Sequence, residues 1–189
     1  MSFKSWSIVL AVPLLVAMLL VANSQVALAE ERACRGTIGG ATVDNLRVPD
    51  GATCTLSGTR VKGAITVGTG ATLIATNVRV NGNVQGENAA SVSFAGGRVG
   101  GSIQIVQGAV ARVEGAVIAG DLLFDANHAA LSATNNWIGG NFQAFQNSGG
   151  LLVSANRITG NLQCKENEPA PTGGSNTVQG SKEDQCAQL

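Results

Sequence analysis

A phrase of the form apolar–any–Gly–any–apolar recurs along this chain at nearly fixed intervals. Its anchors are Val61, Val80, Val99, Ile118, Ile138, Ile158 and Val178, spaced by 19 or 20 residues. Glycine stands two places after every anchor, at Gly63, Gly82, Gly101, Gly120, Gly140, Gly160 and Gly180. Two places further on come Ile65, Val84, Ile103, Leu122, Phe142 and Leu162. A degraded copy starts at Val43, with Asn45 in the glycine slot. A fixed period of about 20 residues means a solenoid, in which each repeat buries its apolar face only against its neighbours.

Within a copy the apolar residues alternate over short runs, as in Ile103-Gln104-Ile105 and Val92-Ser93-Phe94. A period of two is strand, not helix. Gly, Asn and Ser punctuate the runs too often for helices, and leucines at fixed leucine-rich-repeat positions are missing. The expected fold is therefore all-β: a single-stranded parallel β-helix of about seven coils, each 19–20 residues long. With strands stacked about 4.8 Å apart, the rod would be on the order of 35 Å long. The anchor and the residue four places on point inward. The glycine between them packs a tight corner or adopts a positive φ. The next residue points outward and stacks in a row: Thr66, Gln85, Gln104, Leu123, Gln143 and Gln163. Asn136, Asn156 and Asn176 form a second row, read as a turn corner because Asn tolerates left-handed geometry.

Coils of this length resemble right-handed β-helices more than left-handed ones, which are built from strict hexapeptides. The V-x-G-x-I phrasing over about residues 43–180 is similar to that of the bactofilins, bacterial polymer-forming β-helix proteins, and to uncharacterised secreted bacterial repeat proteins. That resemblance implies a right-handed solenoid. Bactofilins are cytoplasmic and lack disulfides, so their filament formation is not carried over.

The first 29 residues read as a secretory signal. Lys4 precedes an apolar run from Ile8 to Ala22, and Ala27-Leu28-Ala29 offers an A-x-A cleavage site before Glu30. The run is short for a membrane span, so no span is expected once the signal is removed; the alternative is an uncleaved N-terminal anchor. The expected division is a signal peptide at 1–29, an N-terminal cap at 30–42, coils at 43–165 and a C-terminal cap at 166–189. The last would hold the strand-breaking Pro169 and Pro171 and a disulfide. The expected location is extracytoplasmic, secreted or in the cell envelope. Four cysteines in an exported chain suggest disulfides. Cys34 and Cys54 are 20 apart and Cys164 and Cys186 are 22 apart. Each separation is about one coil, which brings the partners within bonding reach in stacked coils. The alternative pairings would link opposite ends of the rod.

The chain carries 12 basic and 12 acidic residues, and charged residues make up only 13% of it. Without Lys4 the balance is 11 to 12, so no global charge points to nucleic acid or an anionic membrane. No phosphate loop, Ser-His-Asp set, calcium turn or metal motif appears, and no cofactor is implied. Asp121, Asp125 and His128 share one coil, with Glu114 in the coil before. They could converge as an acid–base pair, but no loop is long enough to enclose them. The residue before each anchor forms a more suggestive row: Arg60, Arg79, Arg98, Val117, Trp137 and Arg157. By alternation it faces outward. It reads either as a solvated row whose stems cover apolar surface, or as a docking strip for an extended anionic polysaccharide or cell-envelope polymer. The expected function is a secreted, non-enzymatic β-helix with a structural, adhesive or polymer-binding role. The alternative is a carbohydrate-active enzyme of the polysaccharide lyase or hydrolase type. The oligomeric state is not set by these features.

Overall fold

The computed structural model describes residues 30–189, and the expected signal segment lies outside the described residues. Three parallel sheets run the length of the rod. Sheet A has nine strands, from Glu31–Ala33 to Lys182–Asp184. Sheet B has eight, from Gly36–Ile38 to Thr172–Gly174, and sheet C has eight short ones, from Thr42–Val43 to Thr177–Val178. The chain visits A, B and C in turn, so every strand pairs with its equivalent one coil away. The expected parallel β-helix is the observed fold, with about eight turns rather than seven.

The extra turn comes from the two ends. Residues 30–42, expected as a cap, supply the first coil: Glu31–Ala33 pairs with Asn45–Val48, and Gly36–Ile38 with Thr53–Ser57. At the other end Thr172–Gly174, Thr177–Val178 and Lys182–Asp184 continue all three sheets. Only the last few residues fold back over the end, where Leu189 packs on the core and its amide donates to the Cys186 carbonyl at 3.1 Å. Disulfides join Cys34 to Cys54 and Cys164 to Cys186, with Cα separations of 5.5 and 5.2 Å, each tying a terminal coil to its neighbour.

The anchors are buried throughout the run from Val43 to Ile158, as are the residues four places after them from Ile65 to Leu162. Sheets A and B alternate in the same way, and Phe94, Phe124 and Phe142 fill the interior. The rings of Phe124 and Phe142 meet edge to face, with centroids 5.9 Å apart, an arrangement aromatic pairs favour.

The anchor glycines are needed for closeness, not for a positive φ, which none of them has. Gly82 donates its amide to the Gly63 carbonyl at 2.8 Å, Gly101 to Gly82 at 3.0 Å, Gly120 to Gly101 at 2.9 Å, and so on to Gly180. A Cβ on Gly160 would sit 2.7 Å from the Gly140 carbonyl oxygen, and one on Gly101 would overlap Asn83 Oδ1. Next to this column a half-buried polar residue receives an amide from the neighbouring coil: Asn45 from Ala64, Asn83 from Ser102, Asp121 from Asn141. Asn45 therefore belongs to this polar column and not to the glycine slot, because the first coil is one residue short at that corner.

Asn136, Asn156 and Asn176 do mark a corner, between sheets B and C, but they do not face out and do not take the left-handed conformation. That conformation falls on the residue before each of them, Asn135, Ala155 and Ser175. The asparagines are buried and form an internal ladder. Asn136 donates its backbone and side-chain amides to Asn156 Oδ1, both at 3.0 Å, and Asn156 does the same to Asn176. A parallel ladder unforeseen from sequence, Asn127–Asn147–Asn167, lines the corner between sheets A and B and ends on Gln185 Oε1. The coils with asparagine ladders are the 20-residue ones. Their added residue lies in the A–B corner, where Leu122 and Leu131 are nine apart while Ile103 and Ala111 are eight apart. Each buried amide is satisfied, and no described buried side-chain N or O atom lacks a partner.

Two stability tests follow from this packing. Gly101→Val should lower stability by about 3 kcal/mol or more, because its side chain must displace both backbone and Asn83. Gln104→Val, on the outward face, should change it by about 0.5 kcal/mol or less. Thermal melts that coincide for the two variants would mean the inward and outward positions are misassigned. Asn156→Leu should cost about 3 kcal/mol, since the amides of Asn136 and the Ala133 carbonyl lose buried partners. Urea midpoints unchanged from the native protein would show that the ladder does not hold the core.

Candidate functional site

Sheet C is built from two-residue strands, so each coil presents one outward side chain before its buried anchor. Parallel register puts these side chains directly above one another: Arg60 with Arg79, Arg79 with Arg98, Arg98 with Val117, Val117 with Trp137 and Trp137 with Arg157. At about 4.8 Å per coil the row is about 24 Å long. Every residue of the expected docking strip is therefore brought into one line. All four arginines are exposed, and Trp137 keeps 39% of its surface in solvent. Arg60, Arg79 and Arg98 border a shallow depression of about 360 Å³, floored by Val80, Asn81 and Gly100.

The electrostatics of this face differ from the rest of the rod. Four other cations meet acids: Lys62 with Asp44 at 2.9 Å, at the first-coil end of this same face, Arg112 Nε with Glu114 at 3.1 Å, and Arg47 and Lys165 with Asp50 and Glu166 at longer range. No described carboxylate lies within 4.0 Å of Arg60, Arg79, Arg98 or Arg157. The outward positions of sheet C between Arg60 and Thr159 hold no acid at all. The acids of the central coils lie off these outward positions: Glu87 and Asp125 at strand ends of sheet A, Glu114 on sheet B, and Asp121 half-buried in the corner between sheets C and A. A nearly neutral chain thus carries one row in which four of six outward residues are arginines without an acidic partner. Like charges on adjacent strands destabilise by a few tenths of a kcal/mol to about 1 kcal/mol, so the row is tolerated rather than favoured by the fold.

The outward Gln row differs in kind. Gln85 Nε2 donates to Gln104 Oε1 at 3.1 Å, Gln143 to Gln163 at 3.0 Å and Gln163 to Glu183 at 2.8 Å. A broader depression of about 570 Å³ over Thr66, Gln85, Gln104 and Glu87 is lined by this already-paired row. Asp121, Asp125, His128 and Glu114, which could have converged as an acid–base group, do not. Asp121 is engaged in the corner column by Asn141, Asp125 ends a sheet A strand, His128 is exposed at the next corner, and Glu114 pairs with Arg112 on sheet B. Among the described residues no three His, Cys, Asp or Glu side chains group closely enough to hold a metal ion.

The scan against family models and the searches of curated proteins and of solved structures each found no match.

Proposed function

We propose that the protein is a secreted, non-enzymatic β-helix rod that binds an extended anionic polymer along sheet C, at or beyond the cell surface. The observation that carries this reading is the stack of arginines with no carboxylate within 4.0 Å, on a face whose outward strand positions from Arg60 to Thr159 hold no acid. A row of cations with a fixed axial step suits a partner that repeats its charge along its own length. Polyvalent contact also compensates for the weakness of each exposed pair. The two disulfides fit an oxidising, extracytoplasmic setting. The V-x-G-x-I likeness to bactofilins supports a rod with a structural role, while the disulfides and the expected leader set it apart from that cytoplasmic group. Acidic side chains spread over separate faces favour binding over polysaccharide cleavage, which needs convergent groups in an enclosed site.

The double variant Arg79→Gln/Arg98→Gln should bind acidic polymers about tenfold more weakly than native protein and melt no lower, because it relieves like-charge repulsion. Native binding should weaken as salt rises, since exposed charges are screened over about 10 Å at 0.1 M. Titration of both proteins with alginate, polygalacturonate and polyphosphate at two salt concentrations checks this. Native protein that binds none of them would remove the docking role.

A further inference from the structure

The strip is not uniformly cationic, and its pattern narrows the partner. Arg60, Arg79 and Arg98 occupy one end and Arg157 the other. Between them lie two coils without charge, Val117 and Trp137, with Ala119 and Gly139 on the neighbouring outward column. Trp137 is one of the few large apolar side chains on the surface, and nothing in the fold requires it there. Trp137 keeps 39% of its surface in solvent, next to the small residues Ala119 and Gly139.

Resting on the anionic-polymer reading above, we infer that the partner is an acidic glycan, a chain of uronic acid residues lying along the rod axis with one sugar ring stacked on Trp137. A polymer of charge alone, such as polyphosphate, gains nothing over the uncharged coils. A uronic acid residue carries both features the strip offers partners for: a carboxylate on its edge and an apolar C–H face on its ring. The carboxylates pair with the arginine fork, which matches a carboxylate in two parallel hydrogen bonds. The C–H face covers the indole, as amphipathic ligands do on exposed aromatic rings. The axial direction follows from register, because the cations and the ring lie in one line parallel to the rod.

The test uses the disulfide-bonded protein, oligogalacturonates from dimer to octamer, neutral oligosaccharides of the same lengths, and polyphosphate. Trp137 is the only tryptophan outside residues 1–29, so its fluorescence reports contact at the ring. The expected result is oligouronate affinity that rises with length until the chain spans Arg60 to Arg157 and then levels off, with a fluorescence change at saturation. Trp137→Ala should lower octamer affinity about tenfold and leave polyphosphate binding unchanged, which also shows that the variant is folded. Arg79→Gln/Arg98→Gln should weaken both. If polyphosphate binds and depends on the arginines, but Trp137→Ala changes neither ligand or oligouronates bind no better than neutral sugars, the glycan inference is overturned while the anionic-polymer reading stands. Dimers that bind as tightly as octamers would overturn the axial placement. No binding by either anionic polymer would overturn both readings.

Discussion

Gly82, Gly101, Gly120, Gly140 and Gly160 each donate an amide to the glycine one coil before and accept one from the glycine one coil after. The backbones at this corner approach so closely that a methyl group would have no room. This contact sets the stacking step, and the stacking step sets the rest. Once this corner is locked at strand spacing, all three sheets must pair at the same step. Equivalent residues in every coil then form columns along the rod. A parallel sheet gains nothing from local hairpins, so the repeat supplies what topology does not: each coil finds an identical surface beside it.

Columns turn single-residue choices into long-range patterns. An apolar residue repeated at the anchor becomes a continuous core. An asparagine repeated at a buried corner becomes a hydrogen-bonded ladder whose members satisfy one another, so polar groups can line the interior without loss. The ladders need termination, and the last turn provides it: Gln185 accepts from the Asn167 amides and donates to the Asn167 carbonyl, beside the Cys164–Cys186 bridge. An arginine repeated at an outward position becomes a line of charge that no internal partner neutralises. The same arithmetic that stabilises the core concentrates an unsatisfied feature on one face, where a linear partner can meet it.

Much of this was legible in the sequence because glycine and the alternating apolar residues leave an unambiguous period. The anchors, the outward Gln and Arg rows and both disulfide pairs are read off that period directly. Four things were not. The glycine column looked equally compatible with positive φ, since sequence shows which residue is small but not whether smallness serves conformation or proximity. Asn136, Asn156 and Asn176 read as a turn corner because asparagine tolerates left-handed geometry, and only the closed cross-section reveals that they point inward while the residue before each takes that geometry. Asn127, Asn147 and Asn167 were missed although they repeat every 20 residues, because they begin only after the coil lengthens. The C-terminal end continues the coils further than expected: Pro169 and Pro171 read as strand breakers, yet both lie in the corner before Thr172–Gly174, which still pairs with sheet B.

The most direct test of the stacking account is excision of one whole coil. Removal of residues 80–98 joins Arg79 to Val99 and keeps every column in phase. Removal of residues 80–93 puts the chain out of phase. Far-ultraviolet circular dichroism followed through thermal unfolding, with small-angle scattering, compares the two with the native protein. The account predicts that the in-phase deletion folds cooperatively, keeps its β signal, and is shorter by one strand spacing of about 4.8 Å, while the out-of-phase deletion does not fold. In-phase and out-of-phase deletions that behave alike would contradict the claim that one fixed stacking step organises this molecule.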